Sequence, residues 1–200
     1  GFPELIFDSQ NGRLTYNTRR GYETCDLTDG AVRPCGGLPK GRTILVVGSL
    51  GSGKTTFAMQ FLVGGVKAGG SSLYVSLDEK PDRVKSDLTS FGWDLEGLEH
   101  DGKLTFIDAT ELKRPGRRIG QGGFGDENPV SLTIPELTLG SLVRTIRRVA
   151  AEEGTQRIVV DPITALLLRY PEEAKRRRAL LFFFDALEST GCSCIVTSEL

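Results

Sequence analysis

From Arg42 onward the chain alternates short apolar runs with longer segments of helical spacing. "TILVVG" is an apolar run closed by glycine, the pattern of a strand buried on both faces of a sheet. The next segment carries Phe57, Phe61, Leu62 and Val66 at helical spacing and stops at Gly69-Gly70. "SLYVSLDE" predicts a second strand, and "PDRVKSDLTSFG" a helix with Pro81 in its first turn. "LTFIDA", "RIVVD" and "CSCIVTSE" predict three more strands. Amphipathic helices are expected over "LTLGSLVRTIRRVAAEEG" and from Glu172 to Thr190. Lys113 to Pro129 is rich in Gly, Arg and Pro and reads as a mobile loop. The resulting β-α-β-α-β-α-β-α-β order demands an α/β fold. Its sheet is mostly parallel, with helices on both faces and right-handed crossovers. Ligands of such sheets bind at the carboxyl ends of the strands, so Asp78-Glu79, Asp161 and Ser198-Glu199 are expected along one edge.

The first 35 residues look different. They are polar and weakly periodic, with turn formers that allow a hairpin around Asn11-Gly12. Composition otherwise narrows the class only a little. The 200 residues are 38% hydrophobic and 26% charged, ordinary for a soluble globular protein. A net charge of −1 points to neither nucleic acid nor acidic lipid as a global partner. No apolar run reaches the ~20 residues of a membrane span, and no signal peptide is visible, so the expectation is a cytoplasmic protein with no membrane partner. The four cysteines lack zinc-ligand spacing, and His100 is the single histidine. Cys192 and Cys194 alternate along one strand and are expected on the same side of the sheet.

The chemistry concentrates in "GSLGSGKTT", Gly48 to Thr56, which satisfies GxxxxGK[ST] between a strand and a helix. Gly48, Gly51 and Gly53 let the backbone curl with its N–H groups inward, and Ser49, Leu50 and Ser52 complete the loop. The following helix adds the positive end of its dipole. Lys54 is expected at the β- and γ-phosphates of a nucleotide, the Thr55 hydroxyl at Mg²⁺, and Thr56 beside it in the first turn. Asp161, closing a buried strand at the same edge, suits a ligand of Mg²⁺ or of its water. The pair Asp78-Glu79 ends another strand there, and Glu79 is the candidate base for an attacking water. The competing reading is that one of the two carboxylates caps the helix beginning near Pro81.

Together these residues resemble the KaiC-like branch of the RecA/RadA ATPase superfamily. The matching stretches are "GGLPKGRTILVVGSLGSGKTTFAMQFL", "LYVSLDE", "SFGWDLEGLEHDGKLTFIDA", "RIVVDPITALL" and "IVTSE". The resemblance implies a RecA-like P-loop NTPase core over residues 36–200 that binds ATP and Mg²⁺. It puts Lys54 and Thr55 at phosphate and metal, Asp161 as the Walker B acid, and Asp78-Glu79 at the catalytic carboxylate pair. The family's pair is two glutamates, so the aspartate at 78 leaves Glu79 as the base. Ser198 and Glu199 fall where the family has a polar sensor. The resemblance also implies a homo-oligomer, a hexameric ring in which ATP is shared between subunits, with a regulatory protein partner. Protein kinase activity is known in the clock branch, with its acceptor segment expected past Leu200.

Two departures stand out. The family's continuous entry segment is split here, with "GFPELI" ending at Ile6 and "GGLPKG" starting at Gly36, so residues 7–35 read as an insertion within an N-terminal segment of residues 1–35. The family's C-terminal strands and its trans-acting Lys/Arg segment are absent, so the core reads as incomplete at its C-terminus. The family strand order 3-2-4-5-1 would then leave the glycine-loop strand as an open edge, prone to pairing or aggregation. Basic clusters at Lys113-Arg114 with Arg117-Arg118, at Arg144 with Arg147-Arg148, and at Lys175 to Arg178 could face nucleic acid or a neighbouring subunit. Their blander reading is solvated surface balanced by acids such as Glu172 and Glu173. Three functions follow: an ATPase coupling turnover to assembly or signalling, a nucleotide-binding module that hydrolyses little, and a RadA-like DNA-dependent recombinase.

Overall fold

The structure, a computed structural model, describes residues 38, 40–110 and 138–199, together with the paired strand backbones at 4–8, 13–18 and 21–26. The loop expected over Lys113 to Pro129 lies outside those residues, and its basic cluster with it.

Among the described residues one eight-stranded sheet organises the fold. Its strands are β1 (Glu4–Asp8), β2 (Arg13–Thr18), β3 (Gly21–Asp26), β4 (Thr43–Gly48), β5 (Ser71–Ser76), β6 (Leu104–Asp108), β7 (Thr155–Asp161) and β8 (Ser193–Glu199). They lie in the order β3-β2-β1-β4-β8-β7-β5-β6. The five strands expected from sequence are all present and mutually parallel. Their order, read from β6 and counted from β4 as first, is the expected 3-2-4-5-1. The crossovers carry α1 (Lys54–Lys67), α2 (Pro81–Asp87), α3 (Leu95–His100), α4 (Leu139–Glu152), α5 (Thr164–Leu167) and α6 (Glu173–Glu188). The expected helix over residues 81–92 is shorter, passing at Leu88 into a 3₁₀ turn over Thr89–Phe91 that ends at Gly92 with φ 72°. The short helices α3 and α5 were not anticipated, because neither is long enough to show a periodic apolar face.

The glycine-loop strand is not an open edge, which corrects the sequence expectation. β1 pairs with β4 in parallel, Leu5 opposite Val46 and Ile6 opposite Val47. β1 and β2 then pair antiparallel with Asp8 opposite Arg13, on either side of the Asn11-Gly12 hairpin position expected from sequence, and β3 extends them antiparallel. β2 and β3 therefore lengthen the sheet while β1 supplies main-chain partners to β4, and among the described residues the terminal strands are β3 and β6.

Strand pleating sorts the core into two layers. Leu73, Val75, Ile107, Ile158, Val160, Cys194 and Val196 face α4 and α6, where they meet Leu142, Ile146, Val149, Phe183 and Leu187. The alternate positions Ile44, Val46, Tyr74, Phe106, Val159 and Ile195 face α1, against Ala58, Met59 and Leu62. The α1 layer bears on function, because the functional strand ends fall on its side of the pleat. Cys192 and Cys194 share a layer as expected, and both are buried. Among the described residues no helix is long and apolar enough to cross a membrane.

Two outcomes are expected. Deleting residues 1–35 bares the main-chain groups of β4, so light scattering should show polydisperse aggregate where the full chain gives one discrete species. Burial pushes the Cys194 thiol from 9.0 up to about 12. In that window the unfolded chain has lost the proton and the folded one keeps it, so stability falls as pH rises from about 9 towards 12. Alkaline denaturation curves of Cys194→Ala should be shallower, by at most ~1.4 kcal/mol per pH unit.

Candidate functional site

Parallel pairing aligns the carboxyl ends of the central strands. Gly48 stands opposite Glu199, and Ser76 stands opposite both Asp161 and Asp108. The carboxylates at those tips thus share one edge with the glycine loop, as the strand pattern predicts. A cavity of about 360 Å³ opens there, walled by Lys54, Thr55, Asp78, Glu79, Asp161 and Glu199 together with neighbouring loop and strand residues.

The glycine loop is built by backbone geometry. Gly51 and Gly53 adopt φ of 75° and 84°, the left-handed region closed to most side chains. Gly48 differs: a Cβ there would meet Ser52 Oγ at 2.6 Å, so that buried hydroxyl would have to turn away. The turn delivers the chain into α1 without any cap. Gly53 offers no side chain to the free N–H groups, and the first turn holds no acid. The Phe57 N–H donates to the Gly53 carbonyl at 2.9 Å, so the N–H groups of Lys54, Thr55 and Thr56 precede the first helical bond. Ser52 Oγ is buried without a hydrogen-bond partner. Unsatisfied donors at the positive end of a 14-residue helix are an anion cradle.

Lys54 puts a charge in the same place. Its side chain is buried, and Nζ donates to the carbonyls of Gly48 at 3.0 Å and Ser49 at 2.8 Å. An ammonium has three donors, so one remains for a ligand. Gly51, Gly53, Lys54, Thr55, Thr56 and Leu50 line the cavity, whereas Gly48 and Ser49 act through the carbonyls that hold Lys54.

The acidic tips differ in their surroundings. Asp161 is buried, its Oδ2 accepting from the Tyr74 hydroxyl at 2.8 Å and its Oδ1 from the Thr197 hydroxyl. Glu79 is half exposed, with Arg83 Nε 3.9 Å from its carboxylate, a long contact that restrains it little. The turn beneath Glu79 is fixed from below, because the Ser76 hydroxyl donates to its carbonyl. Asp78 and Glu79 both line the cavity, and the N-cap position of α2 is Lys80, which makes no side-chain cap. Glu199 reaches the cavity wall, while the Ser198 hydroxyl turns to the Glu199 carbonyl at 3.3 Å.

Sequence reasoning passed over Tyr74, Ser76, Val84, Pro162 and Thr197, all of which line the cavity or bond to residues that do. A tyrosine inside an apolar strand was the available signal, since a buried phenol needs a partner. Burial, then the charge of Asp161 and the hydrogen bond to it, and then the charge of Glu79 drive the Tyr74 pKa well above its ordinary value. The phenol is therefore a neutral donor between the two acidic tips. The basic clusters within the described residues are surface features: Arg148 pairs with Glu152 at 3.1 Å and Lys175 with Glu172 at 2.7 Å, all four exposed.

Comparison with known proteins agrees with this geometry. The family model "ATPase: KaiC" matches residues 20–200. The chain is 34% identical over 164 residues to the circadian clock protein KaiC3 of Synechocystis sp., covering 82% of this chain and 30% of that protein. It is 30% identical over 167 residues to a UPF0273 protein of Pyrococcus horikoshii, covering 82% of this chain and 63% of the relative. The crystal structure of a KaiC-like protein from the same archaeon superposes with a TM-score of 0.66 at 32% identity, over 82% of this chain and 66% of that one. The chain thus spans between about a third and two thirds of the length of these relatives. With its glycine loop, parallel strand order and acidic edge, the chain belongs to the KaiC family of RecA-like P-loop ATPases.

Proposed function

We propose that the chain binds Mg-ATP at this sheet edge and hydrolyses it with a water oriented by Glu79. One observation carries the reading: Lys54 and the uncapped start of α1 open into the same cavity as Asp161 and Glu79. The β- and γ-phosphates take the N–H groups of the loop and the remaining donor of Lys54. The donor set also fits a hard cation, since the Thr55 hydroxyl and the Asp161 carboxylate supply oxygen at one cavity wall. Bound Mg²⁺ supplies charge neutralisation at the transferring phosphoryl oxygens. The chain's own residues hold and orient the rest. Glu79 positions a water in line with the γ-phosphorus. The new P–O bond forms to that water as the bond to the β,γ-bridging oxygen breaks, and the water's proton passes to the carboxylate. Its loose contact with Arg83 leaves Glu79 able to accept it.

Turnover coupled to a homo-oligomeric ring is the wider proposal, supported by family membership. In such a ring a neighbour's cation would add to the charge facing the phosphates, an effect worth about 10³ to 10⁵ in rate where it occurs. A second reading, a nucleotide-binding regulatory module with slow hydrolysis, is favoured by the aspartate at position 78. Phosphate release measured beside ATP affinity separates the two: tight binding with little release supports the module.

Glu79→Gln should lower phosphate release by about 10² or more while leaving ATP affinity unchanged. Full turnover by that variant would remove Glu79 from the chemistry.

A further inference from the structure

We propose that Tyr74 and Thr197 are positioning residues that together clamp the Asp161 carboxylate in one orientation towards the metal side of the nucleotide. The inference rests on the reading of Asp161 as the magnesium-side acid. Three adjacent strands supply the three groups: Tyr74 from β5, Asp161 from β7 and Thr197 from β8. All three fall on the α1 side of the pleat, because Tyr74 and the neighbours two residues back, Val159 and Ile195, pack in that layer.

Each hydroxyl takes a different oxygen. The Tyr74 hydroxyl donates to Oδ2 at 2.8 Å and the Thr197 hydroxyl to Oδ1. Rotation of the carboxylate about its Cβ–Cγ bond would break both bonds, so the pair fixes the plane of the group as well as its place. Thr197 is fully buried and Tyr74 nearly so, which holds the donors themselves in place. A carboxylate has about four lone-pair sites, so two occupied ones leave two for a metal-bound water or the metal. Tyr74 also lines the cavity. With its one proton given to Asp161, its oxygen has only lone pairs left for the cavity. It can accept from a water there but has no donor for a phosphate oxygen. The phenol therefore serves the metal side of the ligand and is silent towards the phosphates. Outer partners of this kind typically contribute 10- to 100-fold to metal affinity.

The test is titration calorimetry of ATP on the full chain across a series of Mg²⁺ concentrations, for Tyr74→Phe, Thr197→Val and Asp161→Asn. Each clamp variant removes a hydroxyl at nearly constant shape. The expected result is ATP affinity without Mg²⁺ equal to the parent chain, with the Mg²⁺ concentration for half-maximal enhancement raised about 10-fold or more. A role confined to stability would lower the melting temperature and leave that concentration unmoved. If Tyr74→Phe fails to fold, Thr197→Val reads the same quantity from the other oxygen. Should Asp161→Asn abolish the Mg²⁺ enhancement while both clamp variants keep the parent value, the clamp is wrong and Asp161 stands. An unaltered Mg²⁺ response in Asp161→Asn overturns the underlying assignment of Asp161, and the clamp with it.

Discussion

The start of α1 is left unsatisfied by the protein itself. Three main-chain N–H groups precede the first helical bond, Gly53 offers no cap, and the first turn carries no acid to complement the dipole. Lys54 adds a full positive charge to the same place, restrained by two carbonyls of its own loop. Such a concentration of donors favours an anion that can meet all of them, and the glycine geometry keeps side chains out of its way. The rest of the fold serves to keep that cradle rigid and to bring carboxylates to its rim.

The sheet does the second job through register. Parallel pairing sets Ser76 level with Asp161, and Gly48 level with Glu199 two residues further along, because Val160 stands opposite Val196. The ends of β4, β5, β7 and β8 thus come to one edge without any loop having to reach across. The pleat then selects which side chains look towards α1. Apolar contacts of Met59, Leu62 and Ala58 with that face seat the helix on the sheet and so fix the loop before it. β1 closes the outer side of β4, so the strand that launches the loop is bonded along both edges. A loop that must present its backbone in one conformation benefits from a launching strand that cannot fray.

Much of this was legible in the sequence, for local reasons. GxxxxGK[ST] between an apolar run and a helical segment is a contiguous signal, and so are carboxylates that end buried strands. The positions of Lys54, Thr55, Asp78, Glu79 and Asp161 around one cavity follow from those two facts and the rule for parallel sheets. What stayed hidden depends on register between distant strands. Tyr74 and Thr197 stand 87 and 36 residues from the carboxylate they hold, and nothing in their neighbourhood names that partner. The β1–β4 pairing was hidden for the same reason, since nothing near Glu4 to Ile6 names the distant glycine-loop strand as its partner. The helices α3 and α5 were hidden by their brevity.

The claim beneath all of this is that a triphosphate is held by main-chain amides and the Lys54 ammonium. Calorimetric titration of Mg-ATP into the chain and into Lys54→Ala tests it most directly. The account predicts saturable uptake by the parent chain and its loss in the variant. No uptake by well-folded parent protein, or equal uptake by both, would contradict it.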